Sequence, residues 1–258
     1  MRTGYFGDES SHTYACALEN ESGELVGYPS IAAVVAALDD GEVDSAVVPL
    51  ENSVGGTVGD TLDALKNAGV YIVEQYHRRI FHSLIGVVGA KKSDIKRIYS
   101  HPQALAQCDR YLRENFSEAD VIAVASTSAA LKIVSSPEEA AIARVATEGL
   151  AVLDAEIEDN KHNVTRFVRL SRAPRFGGKK AAIVFGTPHR PGELLKVLEV
   201  LAAYKLNLNK LESRPSRDGE FGYWFFAEFD CPQKSVLDMV MRRLVAESDG
   251  FVRLVGCY

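Results

Sequence analysis

The run Ser171 to Lys180 (SRAPRFGGKK) constrains the fold more than any other part of this chain, because the pattern of apolar residues changes across it. A basic stretch holding a proline and two glycines suits neither helix nor strand and reads as a linker. After it come strand (Ala181 to Gly186), helix (Gly192 to Tyr204), strand (Leu206 to Ser213), strand (Tyr223 to Phe229), helix (Ser235 to Glu247) and strand (Phe251 to Val255). The βαββαβ order predicts a ferredoxin-like module of two helices over one antiparallel sheet. Leu194, Leu195, Leu198 and Leu201 are expected to form the apolar face of its first helix. A module this short has a small core, so pairing with a second copy would help to bury its surface.

Before the linker, short apolar runs alternate with helical patterns, as in α/β units around a mainly parallel sheet. Arg2 to Phe6 reads as a strand ending at a polar turn. Ser30 caps a helix from Ile31 to Leu38, with Gly41 at its end. Asp44 to Pro49 is a buried strand, because Ala46, Val47 and Val48 run together without alternation. A glycine-rich loop (Gly55, Gly56, Gly59) leads to a helix over Thr61 to Lys66 and a strand over Val70 to Val73. A second set holds strands at Leu84 to Val88, Ile98 to Ser100, Val121 to Val124 and Ala140 to Ala143. Its helices are Gln103 to about Asn115 and Val145 to Leu150, and a strand over Asn163 to Leu170 returns to the first set. This predicts a domain over 1–172 with two lobes, 1–76 plus 160–172 and 77–159, followed by the module at 180–258. A cleft between two such lobes is a common seat for a small molecule.

Composition narrows the function. A net charge of -6 argues against a general nucleic-acid surface, which needs clustered cations. No apolar stretch nears the roughly 20 residues that span a bilayer, and MRTGYFGDESSH lacks a signal core, so no membrane role is expected and the cytoplasm is the default compartment. The four cysteines are scattered, without metal-ligand spacing, and read as buried or idle thiols. No metal is expected.

Five segments place polar residues at strand ends or tight turns, where open α/β sheets bind ligands. They are Asp8 to Thr13, PLENSVGG (Pro49 to Gly56), SHPQALAQC (Ser100 to Cys108), STSAA (Ser126 to Ala130) and NVTRF (Asn163 to Phe167). Glu51, Asn52 and Ser53 combine a carboxylate, an amide and a hydroxyl before flexible glycines. Each segment also has an ordinary structural reading, such as a capped turn, a helix start or an edge strand with a surface arginine. Strand alternation would turn Thr165 away from Arg166 unless the strand bends or ends there.

In this order and with these separations, PLENSVGGTVGDTLDAL, SHPQALAQC, TSAA and NVTRF resemble the catalytic domain of prephenate dehydratases. PGELLKVLEVL and NKLESRP resemble the ACT regulatory domain that follows it. The resemblance implies a periplasmic-binding-protein-like catalytic fold with a C-terminal ferredoxin-like ACT domain. The activity implied is loss of water and carbon dioxide from prephenate to give phenylpyruvate, with no cofactor and with L-phenylalanine as effector on a homodimer or homotetramer. Carried over by motif, Thr165 would serve the departing hydroxyl and Arg166 would clamp a carboxylate through its planar fork. Glu51 is the carboxyl that could back Thr165. Asn52, Ser53, Ser100, Gln107, Ser126, Thr127, Ser128, Asn163 and Phe167 would complete the substrate shell. Phenylalanine would bind near Pro191, Gly192, Glu193 and Leu194 and near Glu212, Ser213, Arg214 and Pro215.

The chain departs from the family twice. The usual opening, glycine-proline-x-glycine-threonine-phenylalanine-serine, is here Gly7-Asp8-Glu9-Ser10-Ser11-His12-Thr13, which puts acidic residues near a dianion. His12 then either replaces an aromatic ring in packing or makes a new polar contact. Glu193 stands at the usual alanine, and we expect it to point outward from the first helical turn, where an acid suits the helix dipole. An arogenate dehydratase and a non-enzymatic amino-acid sensor are the competing readings. No chorismate mutase segment is expected ahead of Gly4.

Overall fold

The computed structural model describes residues 1–216, 222–248 and 251–258. It opens with β1 (Arg2–Phe6), α1 (His12–Asn20), β2 (Glu24–Tyr28), α2 (Ile31–Asp39), β3 (Ser45–Asn52), β4 (Gly56–Thr57), α3 (Gly59–Asn67) and β5 (Tyr71–Arg79). There follow β6 (Ser83–Val87), β7 (Arg97–Ser100), α4 (Pro102–Gln107), α5 (Asp109–Asn115), β8 (Asp120–Ala123), α6 (Thr127–Ile133), β9 (Glu139–Ala143), β10 (Leu150–Asp154) and β11 (Val164–Ser171). The C-terminal part holds β12 (Lys180–Thr187), α7 (Glu193–Ala203), β13 (Leu208–Pro215), β14 (Tyr223–Asp230), α8 (Lys234–Glu247) and β15 (Val252–Cys257). The chain divides into two compact units, one of Met1–Ser30, Pro49–Val58 and Tyr76–Phe167, the other of Ile31–Val48, Gly59–Gln75 and Val168–Tyr258.

In the first unit a five-stranded sheet runs in the order β10-β6-β9-β7-β8. Side chains alternate between its faces, because successive residues of a strand point to opposite sides. Leu84, Ile98, Ala140 and Ile142 pack with Ala104 of α4, Cys108 and Leu112 of α5. Their neighbours Ile85, Tyr99, Ala141 and Ala143 pack with Ala130 and Leu131 of α6. Helices on both faces explain why β9 (EAAIA) is buried throughout.

The expected helix over Val145 to Leu150 is absent. Thr147 O accepts Leu150 N at 3.0 Å and Gly149 has φ +79°, so the chain turns there and β10 pairs antiparallel with β6. The long helix from Gln103 is broken at Cys108 into α4 and α5. Neither α1 nor β2 was expected. Ser11 caps α1 by accepting Tyr14 N at 3.0 Å, and the helix buries mainly small residues, which give no strong apolar stripe.

In the second unit β13, β14, β12 and β15 form an antiparallel run in that order, as the βαββαβ pattern requires, and β15 continues to β5 through Gly256 opposite Ile72. Phe185, Phe229, Val197, Val200, Leu201, Val240 and Leu244 lie in its core. The buried face of α7 is thus displaced from the expected leucine set. Leu195 is 56% exposed, because spacings of three and four residues carry the core stripe through 194, 197, 200 and 201. The cysteines need a correction as well. Cys231 and Cys257 are joined in a disulfide with Cα atoms 6.4 Å apart, tying the end of β15 to the residue after β14. Cys16 and Cys108 are free and buried, and burial pushes both thiols up to about 12.

Candidate active site

β3 and β11 bring the PLENS and NVTRF segments into direct contact, all within the first unit. Ser53 N donates to Val164 O at 2.9 Å, and Val164 N donates to Ser53 Oγ at 3.0 Å. The buried Asn52 stands at the centre. Its Nδ2 donates to Asn163 Oδ1 at 2.6 Å and to Thr165 Oγ1 at 2.9 Å, while its Oδ1 accepts Val54 N at 3.0 Å and Gly55 N at 2.7 Å. A threonine hydroxyl has one proton to give and two lone pairs to fill. Asn52 fills one lone pair of Thr165, so the Thr165 proton stays available for another acceptor. Asn163 is 1% exposed, and its Nδ2 finds no hydrogen-bond partner among the described residues.

Arg166 is almost fully buried and donates from Nη2 to Glu51 Oε2 at 2.9 Å. β11 runs on without ending at Thr165 or Arg166 and is buried from Thr165 to Val168, so both side chains are enclosed although neighbours on a strand alternate in direction. Phe167 is a core residue at 2% exposure.

α4 reaches this cluster from the five-stranded sheet. Its start follows the expected grammar, with Pro102 in the first turn and His101 Nδ1 accepting Gln103 N at 3.2 Å. A β-carbon on Gly55 would lie 2.6 Å from Gln103 Nε2, so the glycine leaves the room in which this side chain meets the PLENS turn. One turn on, Gln107 Oε1 lies 2.8 Å from His82 Nε2. Ser100 is fully buried, and its Oγ donates to Ile142 O at 2.6 Å within the sheet. Ser126 caps α6 by accepting Ala129 N at 3.0 Å, and its hydroxyl lies 3.0 Å from that of Ser128. Thr127 opens α6.

The atypical loop is internally held. Asp8 Oδ1 accepts Ser10 N at 3.0 Å and Ser10 Oγ at 2.6 Å. Burial raises the Asp8 carboxyl, but hydrogen bonds from Ser10 and Ser128 outweigh it and leave it below its usual range. Arg144 donates to Ser10 O at 3.0 Å and to Glu9 O at 2.8 Å. A cavity of about 570 Å³ beside this loop is lined by residues including Asp8, Glu9, Ser128, Lys132 and Glu148. Neither Asn52 nor Thr165 lines that cavity. His12 makes a polar contact, its Nε2 lying 3.1 Å from Phe81 O, and its ring also meets Phe81 and His82 edge to face. Burial, with the nearby His82 and the Arg144 and Arg78 guanidinium groups, lowers the His12 pKa to about 3. His82 and Arg144 were not foreseen, although the histidine in IFHSL stands just before an apolar strand. Among the described residues, no three histidine, cysteine or acidic side chains are grouped to hold a metal ion.

Of the expected effector motifs, Pro191 and Gly192 are exposed before α7, and Leu194 packs on the core. Glu193 is not outward as expected. It is 7% exposed, folded against its own helix with both carboxylate oxygens 3.0 Å from Lys196 Nζ. A cation three residues on compensates the buried charge. On β13, Ser213 and Pro215 are exposed and Glu212 is half-buried. Arg214 points to α3, donating from Nε to Asp63 Oδ1 at 3.2 Å and from Nη2 to Asp63 Oδ2 at 2.6 Å.

Residues 3–175 match the family described as prephenate dehydratase. A prephenate dehydratase of Lactococcus lactis is 33% identical over all of this chain and 97% of its own length. A chloroplastic arogenate dehydratase/prephenate dehydratase of Arabidopsis thaliana is 36% identical over 84% of this chain, and the match spans 61% of that longer protein. The prephenate dehydratase of Arthrobacter aurescens, solved in complex with L-Phe, superposes with a TM-score of 0.90 at 30% identity, over 99% of this chain and 89% of its own. The chain belongs to the prephenate dehydratase family.

Proposed function

We propose that the chain converts prephenate to phenylpyruvate, with the chemistry at Thr165 and Arg166. The observation that carries this reading is the Asn52–Thr165 hydrogen bond, which fills a lone pair of the hydroxyl and leaves its proton to donate. The reaction makes an aromatic ring as the ring carboxylate leaves as carbon dioxide and the opposite hydroxyl departs. It needs a dianion held in a reactive pose and assistance to the departing oxygen, rather than a covalent intermediate. Thr165 donates a hydrogen bond to that oxygen, and Asn52 fixes the direction of the donation. Arg166, braced by Glu51, presents its guanidinium to a carboxylate. Asn163 offers a buried amide donor, and Gln107 supplies another on the α4 side. Ser53, Ser100 and Ser126 to Ser128 shape the surrounding turns.

The C-terminal βαββαβ module at 180–258 acts as an ACT domain that binds L-phenylalanine and lowers turnover, and the catalytic domain is the two-lobed region over 1–172. The module's strand order and the effector-bound relative support this reading. The protein works in the cytoplasm as a homodimer or homotetramer. The plant relative's name favours a second substrate, arogenate, which carries an amine where prephenate carries a keto group. Turnover of both substrates in one competition assay tests the choice. Phenylpyruvate formation with prephenate preferred supports the proposal, and turnover confined to arogenate overturns it.

A further inference from the structure

His82 is 5% exposed, and the turn before β6 holds it in place. Its backbone N–H donates to Glu158 Oε2 at 3.0 Å, and its backbone carbonyl accepts Ile157 N at 2.9 Å. The ring then has one side-chain hydrogen bond, at 2.8 Å between Nε2 and Gln107 Oε1. With the Gln107 oxygen facing the ring, the pairing calls for the tautomer that carries its proton on Nε2. In that pairing Gln107 receives its hydrogen bond at oxygen and keeps its two N–H donors for another group. His12 makes the same kind of contact one residue earlier. Its Nε2 faces a carbonyl, Phe81 O at 3.1 Å, and its ring stands edge to face against both Phe81 and His82, with centroids 5.7 and 5.9 Å away. The Nδ1 atoms of both histidines are buried without a hydrogen-bond partner among the described residues. Two buried polar rings held through one nitrogen each are costly as mere filling, since each unsatisfied polar atom carries a desolvation penalty.

We propose that His82 is a positioning residue that sets the Gln107 carboxamide with its N–H donors toward the anionic substrate, and that His12 braces the Phe81–His82 pair from the atypical loop. This rests on the reading of Gln107 as a substrate donor. The flip of an unrestrained glutamine would present oxygen to an anion, which repels it. In its Nε2-protonated form His82 removes that choice. The loop's departure from its family acquires a purpose, since the histidine that replaces an aromatic ring adds a hydrogen bond to the ring's packing role.

The test has two parts, both on the full chain. Nitrogen-15 histidine NMR reads the ring tautomer directly. An Nε2-protonated His82 whose signal shifts in Gln107→Leu supports the proposal, and an Nδ1-protonated ring overturns it whatever the substrate proves to be. The second part is prephenate kinetics on His82→Phe, His82→Gln and Gln107→Ala, each first checked for folding by its thermal transition. His82→Phe should raise KM roughly tenfold to a hundredfold, the value of one hydrogen bond to a charged group, with kcat within about twofold. His82→Gln should recover part of this loss. Adding His82→Phe to Gln107→Ala should change KM little further, because the first residue acts through the second. Independent, multiplying effects or an unchanged KM in His82→Phe would defeat the proposal. Failure of the wild-type chain to consume prephenate would instead count against the proposed function, and the tautomer would still decide the His82–Gln107 pairing.

Discussion

Arg214 forms a two-point ion pair with Asp63, at 3.2 Å and 2.6 Å, and so joins the C-terminal module to α3. A β-carbon on Gly59 would collide with the same guanidinium, so Arg214 also closes over the start of that helix. At the other end Arg253 donates to the Leu65 and Val70 carbonyls, and Lys66 lies 5.6 Å from the Trp224 ring centre. α3 follows the PLENSVGG turn in the chain, so under the proposed function an effector that shifts the module would act on the helix that comes after the proposed catalytic segment. Asp63 and Arg214 are each about a third exposed, and the pair adds less than about 1 kcal/mol to stability. Asp63→Asn should leave turnover without effector within about twofold, yet raise the phenylalanine concentration for half-inhibition by about fivefold or more. An unchanged inhibition curve would reduce the pair to a structural role.

His12 gives a signature in acid. Its pKa is about 6.5 when exposed and about 3 in the fold. Above pH 6.5 the ring is neutral in both states and contributes no pH dependence. As pH falls from about 6.5 to about 3, the unfolded chain takes up the proton and the native chain does not, so stability declines. His12→Phe removes this contribution, and urea unfolding across that range should show a shallower loss for the variant. Parallel curves would place the titration elsewhere.

The disulfide between Cys231 and Cys257 closes a loop of sequence separation 26, which corresponds to about 3.5 kcal/mol in the chain-entropy account. Reductant should lower the unfolding midpoint of the oxidised wild-type chain and leave that of Cys231→Ser unmoved. Equal shifts in both would remove the bond from the stability of the module.

The linker and both patterns around it could be read from residues alone, because α/β alternation and βαββαβ order are written in the spacing of apolar side chains. Short-range order was harder. Val145 to Leu150 has helical residues, but Gly149 lets the chain turn and the unpaired edge of β6 takes it as a strand. α1 escaped because small residues such as Ala15 and Ala17 can be buried on a helix without leaving an apolar stripe. At the candidate site, the motifs singled out Glu51, Asn52, Thr165 and Arg166, which β3 and β11 bring together. No spacing rule could show that Asn52 bonds Thr165, since the two are 113 residues apart. Cys231 and Cys257 likewise meet only through the register of a folded sheet.

Arg166 is buried and ion-paired, which makes its shape as important as its charge. Arg166→Lys keeps a cation but loses the planar fork that can hold a carboxylate at two points. Substrate affinity should fall roughly tenfold or more, as for one lost charge-assisted hydrogen bond. Titration of prephenate binding checks this, and wild-type affinity in the variant would free Arg166 from the clamp.

The most direct test lies in the NVTRF strand. Thr165→Ala removes the one hydroxyl that Asn52 aims and little else. Single-turnover and steady-state conversion of prephenate should show kcat lower by about 10²-fold or more, with substrate binding changed by less than about threefold. A variant that forms phenylpyruvate at a near-normal kcat would contradict the account at its centre.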